Sequence, residues 1–153
     1  MSPTQTTLPI LLARISGIQV GFAASAVRKI VRAAAIAPLA GAPAIIEGAI
    51  NLHGRIVPVV NVRQRLDLPA AGLTPEQFFI VLHASDRLIA VRVDDVDDMI
   101  ELAETSLESP ASISPVLERL QGVAAIDSGA LVIYDIDGFL TQAEQEALGA
   151  VNE

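Results

Sequence analysis

The chain contains no cysteine and no tryptophan, one lysine and almost no aromatic residues, which make up 3% of its 153 positions. Without cysteine there are no disulfides, no cysteine zinc sites and no thiol nucleophiles. The scarcity of rings removes the stacking platforms that single-stranded nucleic acids use, and a net charge of −8 removes the basic stripe that duplexes require. Anionic membrane surfaces are disfavoured for the same reason. Catalytic signatures are missing too. No GxSxG, HExxH or GxxxxGK[ST] occurs, and Gly41, Gly48 and Gly54 fit no nucleotide fingerprint. No basic leader precedes the short apolar run at residues 8–13. The longest uncharged stretch, 33–46, is broken by Pro38, Gly41 and Pro43, so a cytoplasmic protein is expected.

What remains is aliphatic. Hydrophobic residues make up 52% of the chain, so the core must be built from Val, Ile, Leu and Ala. The length suits one domain, expected over residues 8–150 after a disordered lead-in at 1–7. ILLARISGIQVGF reads as a hairpin turning at Ser16 and Gly17, with Ile18, Val20 and Phe22 on one buried face. A short helical turn is expected at 25–30, with Ser25 as its N-cap, then an extended connector at 33–43.

A second hairpin turns at Leu52-His53-Gly54-Arg55. Its second arm, IVPVVNV, is apolar on both faces, with Ile56, Val60 and Val62 on one and Val57 and Val59 on the other. Such a strand is covered on both sides, which suggests a place between two cores. Pro58 cannot donate a ladder bond and belongs at an edge or bulge.

After a loop at 66–77, FFIVLH and LIAVRV form a third hairpin, and 94–102 continue as strand. A polar loop leads to a fourth hairpin turning at Asp127, Ser128 and Gly129, and Thr141 to Glu144 form a capping box before a short C-terminal helix. Four hairpins with little helix indicate barrel-like β structure. The fold expected is mainly β, as two small five-stranded SH3-like barrels sharing a hydrophobic layer.

Two clusters could carry chemistry. Asp94, Asp95, Asp97 and Asp98 lie within five residues, but neither register gives the D-x-D-x-D-G of a calcium loop. A solvated strand end is the simpler reading. His53 sits at a hairpin tip, where an exposed imidazole is largely neutral at neutral pH and makes one hydrogen bond. No serine and carboxylate are positioned by the sequence to make it a catalytic base.

GAINLHGRIVPVVNVRQRL, together with AVRKI, RLIAVRVDDV and RLQGVAAIDSGALVIYDID in the same order, resembles the CheW family of chemosensory adaptors. The resemblance runs from Leu8 to the C-terminal helix and implies the twin-barrel fold and a non-enzymatic role without cofactor or metal. It implies two partners: the regulatory domain of a CheA-type histidine kinase, and the cytoplasmic tip of methyl-accepting chemoreceptors. The place implied is the cytoplasm, at membrane-associated receptor arrays. Carried over residue by residue, the receptor face would comprise Val27, Lys29, Asn51, His53 and Gly54. For the kinase face the expectation is Ile36, Leu39, Pro43, Ile45 and Ile46, and Asp94 would hold a turn.

This chain departs from the family pattern at three points. Lys29 stands where the family has glutamate, His53 where it has arginine, and Asn61 where it has aspartate. The family's Glu–Arg salt bridge therefore cannot form, which points to altered receptor choice. A kinase-binding decoy that caps arrays is an alternative, as is a metal- or ligand-dependent enzyme using His53 and the aspartate cluster.

Overall fold

A computed structural model gives the fold and describes residues 7–65, 68–84, 87–103, 120–126 and 129–134. Among the described residues, ten strands form two five-stranded sheets. Sheet A has the order β8-β1-β2-β10-β9, built from Thr7–Ile15 (β1), Ile18–Ala23 (β2), Asp95–Ala103 (β8), Leu120–Ile126 (β9) and Gly129–Tyr134 (β10). Sheet B has the order β3-β6-β7-β5-β4, built from Val27–Arg32 (β3), Ile46–Leu52 (β4), Arg55–Val60 (β5), Phe78–Ala84 (β6) and Arg87–Val93 (β7). One helical turn, Val62–Arg65 (α1), follows β5. The fold is thus mainly β in two five-stranded sheets, as expected. Of the lead-in expected at 1–7, residues 1–6 lie outside the described residues and Thr7 already begins β1. Asp127 and Ser128 of the turn expected at 127–129, and the expected C-terminal helix, also lie outside them.

The hairpins obey turn chemistry. Ser16 and Gly17 (φ 53° and 80°) and His53 and Gly54 (φ 52° and 84°) both place two left-handed residues between paired strands, the arrangement whose twist matches a two-residue hairpin. The helical turn expected at 25–30 is different. Only Ala24–Ala26 turn, as a 3-10 element without a side-chain cap, and Val27 already begins β3. Pairing with β6 overrides the weak local preference of AVRKI.

Sheet B carries the doubly buried strands. Val57 and Val59 of β5, Phe79 and Val81 of β6 and Ala90 of β7 pack into one core with Ile50. Their sequence neighbours Val60, Ile80, Leu82, Ile89 and Val91 point the other way, into a layer shared with Leu11, Ala13, Val20 and Phe22 of sheet A. Val62, in α1, joins that layer. Ile56 does not; it is 57% exposed at the hairpin tip, beyond the reach of the shared layer.

Pro58 sits in an interior strand rather than at an edge, and local pairing explains how. It faces Ala49, whose N–H and C=O both bond to Ala37 on the opposite side. The ladder between β5 and β7 begins only at Val59. No neighbouring strand therefore asks Pro58 for a donor.

That bridge to Ala37 also completes sheet B. The connector leaving β3 returns to β4 through Ala37 N–H to Ala49 O (2.9 Å) and Ala49 N–H to Ala37 O (2.8 Å). The approach is possible because residue 48 is glycine. A Cβ there would lie 2.3 Å from Ala37 O and 2.6 Å from Ile36 Cγ2, at a φ of +150°. β4 bulges at this point, and the extra residue, Glu47, reaches Arg92.

Arg92 is buried under the 69–77 loop with every contact accounted for. It donates to Glu47 Oε1 (2.7 Å) and Oε2 (3.3 Å), Gly72 O, Ala71 O and Gln77 Oε1. Gln77 passes the network on to Asp94, which also accepts from Arg63 of α1 and from the Ser16 N–H in the turn of sheet A. Asp94 therefore joins the two sheets and holds the β1–β2 turn. Burial pushes the Asp94 carboxyl up, but the Ser16 N–H, the Arg63 guanidinium and the Gln77 amide outweigh it and hold it below the ordinary range.

Gly48→Ala is expected to destabilise the fold by roughly 1–3 kcal/mol, because backbone rather than a flexible tip must yield. A shift of the urea midpoint measures it, and an unchanged midpoint contradicts the packing described. Asp94 has a folded pKa below its unfolded value, so its contribution is complete above roughly pH 4 and fades as pH falls through the lower folded value. The urea midpoint of the wild type should therefore fall more steeply below about pH 4 than that of Asp94→Asn. Parallel pH profiles would contradict the assignment.

Candidate functional site: a cleft between β3 and β4

Between β3 and the β4–β5 hairpin the Val57/Phe79 core reaches the surface in an open cleft of about 580 Å³. Its floor is apolar, formed by Val31, Ile50, Leu52 and Phe79. Lys29, Asn51 and His53 rim one end, and Arg32, Ala34 and Ala35 rim the other.

A bulge aims Lys29 at this cleft. Val27 pairs with Leu82, but Lys29 rather than Arg28 pairs with Val81, so one extra residue is inserted and the following side chains change face. Val27 consequently packs against the shared layer beside Leu82, while Lys29 lies over the Val81 row and lines the cleft. In an unbulged strand the two would share a face.

The hairpin tip is held from within. Asn51 Oδ1 accepts the Gly54 N–H at 2.7 Å, which supports the left-handed backbone at His53 and Gly54. Lys29 Nζ lies 2.7 Å from His53 Nε2. An ammonium has donors only, so Lys29 donates, Nε2 accepts and the ring proton sits on Nδ1. Asn61 caps the start of α1, its Oδ1 accepting the Gln64 N–H at 3.1 Å.

Of the five residues expected on the receptor face, the structure gathers Lys29, Asn51 and His53 in the cleft. Gly54 adjoins them in the turn, and Val27 turns inward. The kinase set is divided by burial. Ile45 and Ile46 are 3% and 8% exposed in the shared layer, so their side chains support the segment from within. Ile36, Leu39 and Pro43 are half-buried on the connector, and Ile36 packs against the Val57/Phe79 core.

Sequence reasoning missed Arg32, Ile50 and Phe79 as cleft residues. Ile50 and Phe79 read only as hairpin-strand residues. The signal for Arg32 was VRKIVR itself, a strand segment with three cations and no acid. Its guanidinium lies 4.9 Å from the Phe78 ring centroid.

Three of the four clustered aspartates have structural partners. Arg14 holds Asp97 through two bonds of 2.9 and 2.8 Å, and that hydrogen bonding keeps the Asp97 carboxyl below the ordinary range. Asp94 serves the inter-sheet network, and Asp95 accepts the next N–H in the chain. No group of three or more metal-ligating side chains occurs among the described residues. No helix among them is long and apolar enough to cross a membrane.

A cleft with an apolar floor and a polar rim is suited to gripping another molecule. Comparison with known proteins decides which kind of binding protein this is. The profile of the CheW-like domain matches residues 9–144. The chain belongs to the CheW-like domain family.

Its relatives include the chemotaxis protein CheW of Rhizobium meliloti (strain 1021), 31% identical over 112 residues that cover 72% of each chain. The chemotaxis protein CheW of Treponema pallidum (strain Nichols) is 26% identical over 128 residues, 80% of this chain and 75% of that one. The crystal structure of the scaffolding protein TtCheW from Thermoanaerobacter tengcongensis superposes with a TM-score of 0.80 at 22% identity. It covers 94% of this chain and 92% of that one, and so shares the fold. As a CheW-like protein, the chain is a non-enzymatic adaptor of chemotaxis signalling.

Proposed function

We propose that this CheW-like protein couples chemoreceptors to a CheA-type histidine kinase in cytoplasmic, membrane-associated arrays, and that its receptor choice differs from that of ordinary family members. The observation that carries the reading is the cleft in which Lys29, Asn51 and His53 converge. The receptor tip is assigned to that cleft and the adjoining Gly54, with Val27 bracing β3 from beneath. The kinase is assigned to the connector, where Ile36, Leu39 and Pro43 are partly accessible and Ile45 and Ile46 anchor the backbone.

The altered choice follows from charge. A glutamate–arginine rim presents both signs, whereas Lys29 hydrogen-bonded to His53 presents a cation and a neutral ring. The exposed contact contributes at most about 1 kcal/mol to folding, so the fold tolerates the exchange. Recognition does not, since a cation on the partner that suited glutamate now meets Lys29.

Reconstitution of receptor fragment, kinase and this protein tests the reading. Kinase activity should rise when the three are mixed with a matched receptor, and tips suited to ordinary CheW proteins should bind roughly tenfold more weakly than they bind those proteins. Lys29→Glu combined with His53→Arg should recover the difference. Equal affinity before and after the exchange contradicts the altered choice, and a fall in kinase activity identifies a decoy instead.

A further inference from the structure

The topology of sheet B brings to one end what the sequence keeps apart. β3, β5 and β7 begin at this end, and β4 and β6 finish there. The strand ends and the hairpin carry Arg28, Lys29, Arg55, Arg87, His53 and His83. Four of the chain's ten basic residues therefore meet at one end of a protein with net charge −8. The described residues of these strand ends include no carboxylate; Asp86, between β6 and β7 in the sequence, lies outside the described residues.

The cations here are also engaged differently from those elsewhere. Arg14, Arg63 and Arg92 are each neutralised by a carboxylate within the fold. At the basic end, Lys29 contacts a histidine and Arg28 donates to the Ser25 carbonyl. Arg28, Lys29, His53 and Arg55 are exposed. A local excess of positive charge on a protein of net negative charge selects a partner by charge and speeds its approach.

The cleft narrows the class of partner. A nucleic acid would meet the cations, but the net charge of −8 opposes it. An anionic lipid surface would use the charge and leave the apolar cleft unused. A protein segment can use both, with an apolar side chain on Val31, Ile50 and Phe79 and carboxylates against the rim.

We propose that this end of sheet B docks an acidic protein segment, which seats an apolar side chain in the cleft and sets carboxylates against Lys29, Arg28 and Arg55. The inference rests on the receptor reading above, in which that segment belongs to the receptor tip. It adds that the tips selected are those with carboxylates flanking their apolar anchor.

The test titrates the full chain with soluble chemoreceptor cytoplasmic fragments, each as its natural sequence and with its tip Asp and Glu residues changed to Asn and Gln. The acidic fragments should bind about tenfold tighter than their amide forms, with the difference shrinking between about 50 and about 300 mM salt. Lys29→Gln with Arg55→Gln should erase the difference, and an unchanged thermal midpoint shows that the variant is folded. Fragments that bind equally well in both forms overturn the acidic-segment inference and leave the receptor reading standing. If no fragment binds, the receptor reading fails and the inference with it. Flotation on phosphatidylglycerol vesicles that depends on Lys29 and Arg55, without fragment discrimination, assigns the surface to lipid and overturns the inference.

Discussion

Strand β5 has no solvent face along its inner half, and the rest of the molecule is arranged around that constraint. Val57 and Val59 fill the core of sheet B, while Val60 belongs to the layer shared with sheet A, and all three are fully buried. Each buried valine contributes on the order of 2 kcal/mol relative to exposure, and each does so only if a sheet lies on its side of the strand. The central strands β6 and β7 repeat the pattern. Neither sheet can therefore leave the other without exposing aliphatic surface. The polar network at Asp94 sits at the same junction and adds direction to a contact that hydrophobicity alone would leave free to slide.

With the two sheets joined, the cleft becomes a fixed feature. Its walls are β3 and the tip of the β4–β5 hairpin, and its floor is part of the sheet B core. Two bulges determine what faces where. The bulge at Arg28 turns Lys29 onto the cleft, and the one at Glu47 sends that carboxylate to Arg92 at the far end of the sheet. Gly48 allows the connector to close against β4. Under the proposed function, the adaptor would use this preformed surface, whose rim chemistry can change without disturbing the fold.

Much of this was legible in the residues. The alternation of IVPVVNV announced a strand between two cores, and the paired left-handed positions at Ser16-Gly17 and His53-Gly54 announced their hairpins. Other features depended on long-range pairing that no local pattern encodes. AVRKI looked helical because its β partner, β6, lies far along the chain. Ile56 read as core because alternation says nothing of how far a hairpin projects. Pro58 read as an edge or bulge marker because the missing ladder before Val59 is a property of the sheet. Lys29 and His53 were linked only through resemblance to a known family, and that they touch could not be seen in their spacing.

Native-state hydrogen exchange on Val60→Ala tests the central claim, that one doubly buried strand makes the two sheets a single cooperative unit. The substitution removes side-chain volume from the shared layer alone. Amides of Val20 and Phe22 in sheet A and of Val91 in sheet B should lose protection together, each by about 2 kcal/mol. Loss confined to Val91, with Val20 and Phe22 unchanged, would mean that the sheets unfold separately and that β5 does not bind them into one.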